Sequence, residues 1–160
     1  MLTTLAFALA VQTPAKLPAD LVGEWRYTTI RGTSYYDRTN GSYLGHAGGN
    51  SDTLKLSADG TYQEYVYIEN SPSAGWTTKI FTTTKGKATI EDGKLVLTPT
   101  EGHYKTEDNR VAKYNIDRDM TPEEVKKGLR TYPFRLDTDN GKPVLLLTMG
   151  KSEIKYRSTK

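Results

Sequence analysis

Four tight-turn signals cut this chain into short alternating runs: Ser57-Ala58-Asp59-Gly60-Thr61, Asp92-Gly93, Asp139-Asn140-Gly141 and Gly150-Lys151. Gly60 suits a three-residue loop that needs a positive φ, and the Asp-Gly and Asn-Gly pairs suit hairpin turns. Each such turn folds a strand back on its neighbour, so the chain is expected to be all-β and antiparallel. The 11 Tyr, 2 Trp and 3 Phe, with abundant Thr, fit half-buried pleated strands rather than helices. A length of 160 residues suits one domain, which on folding buries roughly 70% of its extended surface and needs neither staples nor a structural metal.

The ends and the charge bound the function. Residues 1–15 have an apolar centre with small-residue exits at Ala8-Leu9-Ala10 and Thr13-Pro14-Ala15. They read as a short secretory signal or an apolar N-terminal tail, with residues 16–160 as the barrel domain. The expected location is secreted or periplasmic. No other run approaches the ~18 apolar residues of a membrane span. The absence of cysteine excludes disulfides and thiolate chemistry. A net charge of +3, from 22 basic against 19 acidic residues without a basic run, argues against a nucleic-acid partner.

Residues 22–30 read as the first strand, with Trp25, Tyr27 and Thr29 on one face and Trp25 on the barrel floor. Residues 31–51 form a long loop, either a lid or a plain connection. The three-residue loop at Gly60 puts Leu54, Leu56, Tyr62, Val66 and Ile68 on one face, whereas a two-residue loop would oppose Leu56 to Gln63. The same register turns Glu64 inward. The next strand runs from Trp76 to Ile90 with a bulge or break at Gly86, and Asp92-Gly93 pairs Ile90 with Leu95 and Ala88 with Leu97. Residues 99–130 read as a polar loop, an extended piece at 110–116, and one helix with Thr121 as N-cap, Pro122 first, Glu124 closing a capping box and Gly128 ending it. Strands at 131–136, 144–149 and 152–158 complete an eight-stranded up-and-down barrel. Long connections at 31–51, 70–75 and 99–130 gather at its open end. An interior of eight strands either fills with side chains or holds one small ligand.

Leu21-Val22-Gly23-Glu24-Trp25, followed by Leu54-x-Leu56-x-x-Asp59-Gly60-Thr61-Tyr62, resembles the lipocalin superfamily, specifically its small bacterial lipocalin-like proteins. The motif residues are Gly23, Trp25, Asp59 and Gly60. The resemblance implies a calyx closed at the Trp25 end and open at the other, binding a small, mostly apolar molecule. It also implies a late basic residue over the tryptophan, for which Arg157 is the positional match as a cation–π partner. Strand alternation sets Arg157 on the face away from Ile154 and Tyr156.

Glu64 is the charged residue of most interest, because burial of an unpaired carboxylate is costly. Three readings are open: a register slip that leaves it on the surface, a buried structural pair, or a ligand contact. Tyr27, Tyr62 and Trp76 are aromatic residues with polar tips that suit either a pocket lining or core packing. His46 and His103 fall on expected loops at the mouth, where two histidines and a carboxylate would suit a metal, but their spacing fixes no geometry and exposed loop histidines are the better reading. Asp137-Thr138-Asp139-Asn140-Gly141 departs from a calcium loop in its Gly position and lacks the closing Glu, so it reads as a turn. Asp117-x-Asp119 suits a cation or complements the helix dipole.

No nucleophile elbow, His-Glu-x-x-His, phosphate loop or dinucleotide fingerprint is present. No catalytic residue, cofactor or metal is expected, and only paired carboxylates around Glu64 would change that. The leading expectation is an exported barrel that binds a small hydrophobic or amphipathic molecule through Tyr27, Tyr62, Glu64 and Trp76. The alternative is a packed interaction module of the cell envelope that meets a protein partner through exterior tyrosines such as Tyr65 and Tyr67.

Overall fold

Strand alternation and the turn residues produce the expected meander. The computed structural model describes residues 16–29, 35–36, 43–45, 48–73 and 75–159. Its strands are β1 (Gly23–Thr28), β2 (Tyr35–Tyr36), β3 (Tyr43–Gly45), β4 (Gly49–Leu56), β5 (Thr61–Ser73), β6 (Trp76–Glu91), β7 (Lys94–Asp108), β8 (Ile116–Asp119), β9 (Arg130–Asp139), β10 (Lys142–Met149) and β11 (Ser152–Ser158). A 3-10 turn at Ala112–Tyr114 and one helix, α1 (Pro122–Lys127), interrupt the series. Eight strands close antiparallel in the order β1-β4-β5-β6-β7-β9-β10-β11 and back to β1. β8 hangs on the outer edge of β7, and β2 pairs with β3.

The turns set the register as their residues require. Gly60 has φ +78, its N–H donates to Ser57 O at 3.0 Å, and the Asp59 carboxylate accepts from Thr61 N at 2.9 Å. This three-residue loop opposes Leu56 to Tyr62 and Leu54 to Glu64, so all four side chains face inward and are buried. At the next hairpin Asp92 and Gly93 both take positive φ, and Ile90 meets Leu95 while Ala88 meets Leu97. The lower end of the barrel is sealed by the 16–22 segment: Leu17, Leu21 and Trp25 pack into one core with Leu54, Leu56, Leu95, Leu97, Leu145 and Leu147. The Trp25 indole donates from Nε1 to Leu21 O at 2.9 Å, which places it on the floor as expected.

β10 is apolar on both faces. Leu145 and Leu147 point into the core, and Val144 and Leu146, equally buried, point out. The outward pair lies directly between Arg157 and Asp137, and between Lys155 and Arg135, on the flanking strands. Long cationic stems cover apolar surface while their heads stay in water. Here the heads are held by Asp139, which bonds both Lys155 and Arg157 at 3.3 Å, and by Glu153, which bonds Arg135. Arg157 therefore belongs to the outer surface, 68% exposed, and does not stack on Trp25. Alternation along β11 decides this, since Tyr156 takes the inward position.

All three expected long connections carry strand: β2, β3 and the start of β4 fall within 31–51, and the other two are extended as follows. β5 and β6 run on until Ser73 faces Trp76, so most of the expected 70–75 connection is strand. β7 continues from Pro99 to Asp108, where a polar loop was expected. Its far half carries Glu101, His103, Lys105 and Glu107 on one face and Gly102, Tyr104, Thr106 and Asp108 on the other. Neither face is apolar enough for alternation to show. The piece at 110–116 is the 3-10 turn, and β8 follows it. β7 meets β9 only over Lys94–Leu97; above that, β8 takes the edge over His103–Thr106 and α1 packs beside β7. The helix has the expected start, with a reciprocal Thr121–Glu124 capping box and Pro122 in the first turn.

Gly86 sits at a bulge. Lys85 faces Glu101 while Gly86 faces Pro99, which leaves Thr100 as the extra residue of β7. A Cβ on Gly86 would stand 2.1 Å from Thr98 O and 2.7 Å from Pro99 Cα, both backbone atoms of the paired strand. Gly86→Ala is expected to destabilise the barrel by about 1–3 kcal/mol through forced strand separation. Thermal unfolding followed by circular dichroism checks this, and an unchanged Tm would show that β6 and β7 part freely.

Candidate functional site

Halfway up the lumen the apolar core gives way to charge. Glu64, 4% exposed, faces inward from β5 at the level of Leu54 and Thr84. Arg130 opens β9 directly below α1, on the inward face shared with Tyr132, Phe134 and Leu136. Its side chain crosses the lumen to Glu64: Nη1 donates to Oε1 at 2.9 Å and Nη2 to Oε2. The Thr84 hydroxyl donates to Oε2 at 3.2 Å. A two-pronged guanidinium–carboxylate bond is the strong form of such a pair. Of the three readings open for Glu64, the structure has the buried pair. Burial opposes the charge on Arg130, but the bonds to Glu64 outweigh it and hold its pKa above the ordinary arginine value.

A second carboxylate stands beside the first. Asp52 lies on β4 opposite Tyr27 and Val66. The Tyr156 hydroxyl donates to its Oδ2 at 2.7 Å. Burial, and next the negative charge of Glu64, push the Asp52 carboxyl up to about 6, against the smaller opposing pull of Tyr156 and Arg130. Burial raises the Tyr62, Tyr132 and Tyr156 hydroxyls as well, with the charge of Asp52 adding to the effect at Tyr156. Two inward carboxylates thus differ in partner: Glu64 has a cation and Asp52 has a phenol.

Three polar atoms of this cluster are buried without a hydrogen-bond partner: Asp52 Oδ1, Tyr62 OH and Arg130 Nε. Tyr62 is 3% exposed, with Thr84 and Arg130 as its polar neighbours. Below the cluster, leucines and Trp25 fill the lumen. Above it, the inner face of the tall β5-β6-β7-β8 wall carries two rows. One aligns Val66, Thr82, Tyr104 and Arg118, and the next aligns Ile68, Ile80, Thr106 and Ile116. Ile68, Ile80 and Ile116 are 39%, 36% and 41% exposed, an apolar surface over a polar floor.

Of the four ligand contacts expected from sequence, the structure brings three together. Tyr62 and Glu64 are in the cluster, and the Tyr27 ring packs 5.8 Å from that of Tyr156. Trp76 stands apart, eight residues up β6 from Thr84, which is about 26 Å at the usual strand rise. Its indole donates to the Asp108 carboxylate at 2.9 Å, and Thr78 with the N–H groups of Arg110 and Val111 donate there too. These donors, Thr78 foremost, hold Asp108 far below the usual carboxylate range, so Trp76 belongs to a knot that ties the upper rim. Asp52, Arg130, Tyr132 and Tyr156 were not singled out from sequence. Asp52 shares the parity of Leu54 and Leu56, and Arg130 that of Tyr132, so extending the two strands outward would have found them.

His103 lies on β7 rather than in a loop, between Asp117 (Nε2 to Oδ1, 2.8 Å) and Asp119 (Nδ1 to Oδ1, 2.9 Å) of β8. The hydrogen bonds to Asp119 and then Asp117 raise its pKa. Those aspartates clasp His103 and favour its protonated ring. His46 falls outside the described residues. Among the described residues no group of three or more His, Asp or Glu is arranged to hold a metal ion.

Three clefts formed by described residues lie elsewhere: about 770 Å³ between α1 and β7, about 670 Å³ beside Asp108 at the rim, and about 250 Å³ between Tyr65, Phe81 and Lys105. None is lined by Asp52, Tyr62, Glu64 or Arg130. No helix among the described residues is long and apolar enough to cross a membrane. No protein-family model matches the chain, and no curated protein matches it.

Proposed function

We propose that this chain is an exported, lipocalin-like, non-catalytic barrel that binds a small amphipathic molecule. Its polar end rests on the Asp52–Glu64–Arg130 cluster and its apolar body on the Ile68–Ile80–Ile116 surface. The observation that carries this reading is the set of three orphaned polar atoms in one interior cluster. Buried polar atoms in folded proteins are nearly always partnered, and each one left alone costs about 1–3 kcal/mol. An occupant that donates to Asp52 Oδ1 recovers part of that energy. The apolar centre and small-residue exits of residues 1–15 support export.

Native mass spectrometry of protein purified without denaturation tests the reading. The expected result is a reproducible extra mass released on unfolding, together with strong fluorescence enhancement of the neutral apolar probe N-phenyl-1-naphthylamine by the emptied protein. A bare mass with no probe enhancement would overturn it. A second reading, an interaction module, draws on one observation: the outer face of β5 and β6 groups Tyr65, Tyr67 and Phe81, with ring centroids 6.5 and 5.2 Å apart and Tyr65 43% exposed. Exposed aromatic clusters of this kind suit a protein partner.

A further inference from the structure

We infer that the cluster selects an occupant whose polar end is a protonated amine, seated on Asp52 among tyrosine rings. This rests on the small-molecule reading above and names the chemical class. Among the described residues two carboxylates and one guanidinium form the cluster, and the guanidinium is already bonded twice to Glu64; the next guanidinium along that wall, Arg118, is bonded to Glu124. Asp52 has a phenol on Oδ2 and nothing on Oδ1. An ionised carboxylate only accepts, so Oδ1 requires a donor. An ammonium group supplies that donor, and its charge balances the one carboxylate that Arg130 leaves uncompensated.

The surroundings fit the same group. Tyr27 is the cross-strand neighbour of Asp52, Tyr156 is bonded to it, and Tyr132 lies beside Arg130. Aromatic rings beside an anion are the usual setting for recognising alkylammonium ions, because ring faces attract cations. A fatty acid would bring a third negative charge to a cluster whose guanidinium is already bonded to Glu64. An alcohol would bond Oδ1 but balance no charge. The exposed isoleucines above the cluster then make the ligand an amphipathic amine rather than a small polar one.

The test is competition for N-phenyl-1-naphthylamine bound to the full chain at neutral pH, using octylammonium chloride, 1-octanol and sodium octanoate. Octylammonium is expected to displace the probe at a concentration at least about tenfold lower than either rival. Asp52→Asn is expected to shrink that preference to roughly threefold or less, while Glu91→Gln, the same charge change on an exposed strand end, preserves it. Circular dichroism of each variant confirms that it is folded. If octanol or octanoate competes as well as octylammonium, the amine is overturned and small-molecule binding stands. If the probe is not bound at all, both fall.

Discussion

Arg130→Met is expected to lower stability by about 3–5 kcal/mol, the largest effect of any single substitution considered for this barrel. The reason is asymmetry rather than the worth of the ion pair. Glu64 is buried, and methionine restores the volume of the arginine stem without its charge, so the carboxylate is left with Thr84 as its one remaining partner. A buried charge without its counterion carries the full desolvation penalty, whereas removing both members together is often close to neutral. The double variant Glu64→Gln/Arg130→Met is therefore expected to regain most of the loss. Urea unfolding checks both, with the midpoint of the single variant falling by roughly 2 M. If the double variant is no more stable than the single one, packing of the arginine stem, and not the orphaned charge, is what holds the wall.

Asp52→Asn is expected to have the opposite sign, raising stability by ~2–3 kcal/mol above pH 6. The carboxyl stands at about 6 in the folded barrel against 3.8 as an ordinary side chain. Between those values the folded state holds a proton that the unfolded chain has lost, so wild-type stability falls as pH rises from about 4 to about 6 and then levels. Asparagine keeps an acceptor for Tyr156 and has no charge to bury. The gain is absent below pH 4, where aspartate is protonated in both states, and complete above pH 6. Unfolding curves at a series of pH values test the slope, and a gain that does not vary with pH would show that burial of the Asp52 charge is not its source. A residue whose buried charge weakens the fold and that is unpartnered at one oxygen fits a binding role better than a structural one.

Local chemistry made much of this legible in sequence, and distance hid the rest. The loop at Gly60 determines which residues of β5 face inward, so the burial of Glu64 follows from one turn. The Thr121–Glu124 box and the floor position of Trp25 are equally local. The partner of Glu64 is 66 residues away and is set by where β9 begins, which in turn depends on how α1 ends and how β7 closes the barrel. The upper half of β7 escaped because its two faces are both polar, and Trp76 was misgrouped because the length of β6 carries it to the rim. Arg157 shows the limit of a positional match: one residue of alternation separates the lumen from the outer surface.

The four-residue ladder between β7 and β9 makes the barrel wall uneven in its local opening free energy. Among the described residues only one ladder of the barrel wall, β1–β11 with Trp25–Arg26 against Arg157–Ser158, is shorter; here Lys94–Leu97 alone joins the two sides, with β8 and α1 filling the space above. Short ladders open first in the native ensemble. Arg130 is the last residue of that ladder, and its side chain is bonded to the far wall, so Glu64 acts as a latch on the seam. An occupant of the kind proposed, seated on the same cluster, would add its binding free energy to the latched state. On the proposed small-molecule reading, loading the barrel and closing its side would then be one equilibrium, and exchange of the occupant would follow the lateral breathing of the seam as well as passage through the mouth.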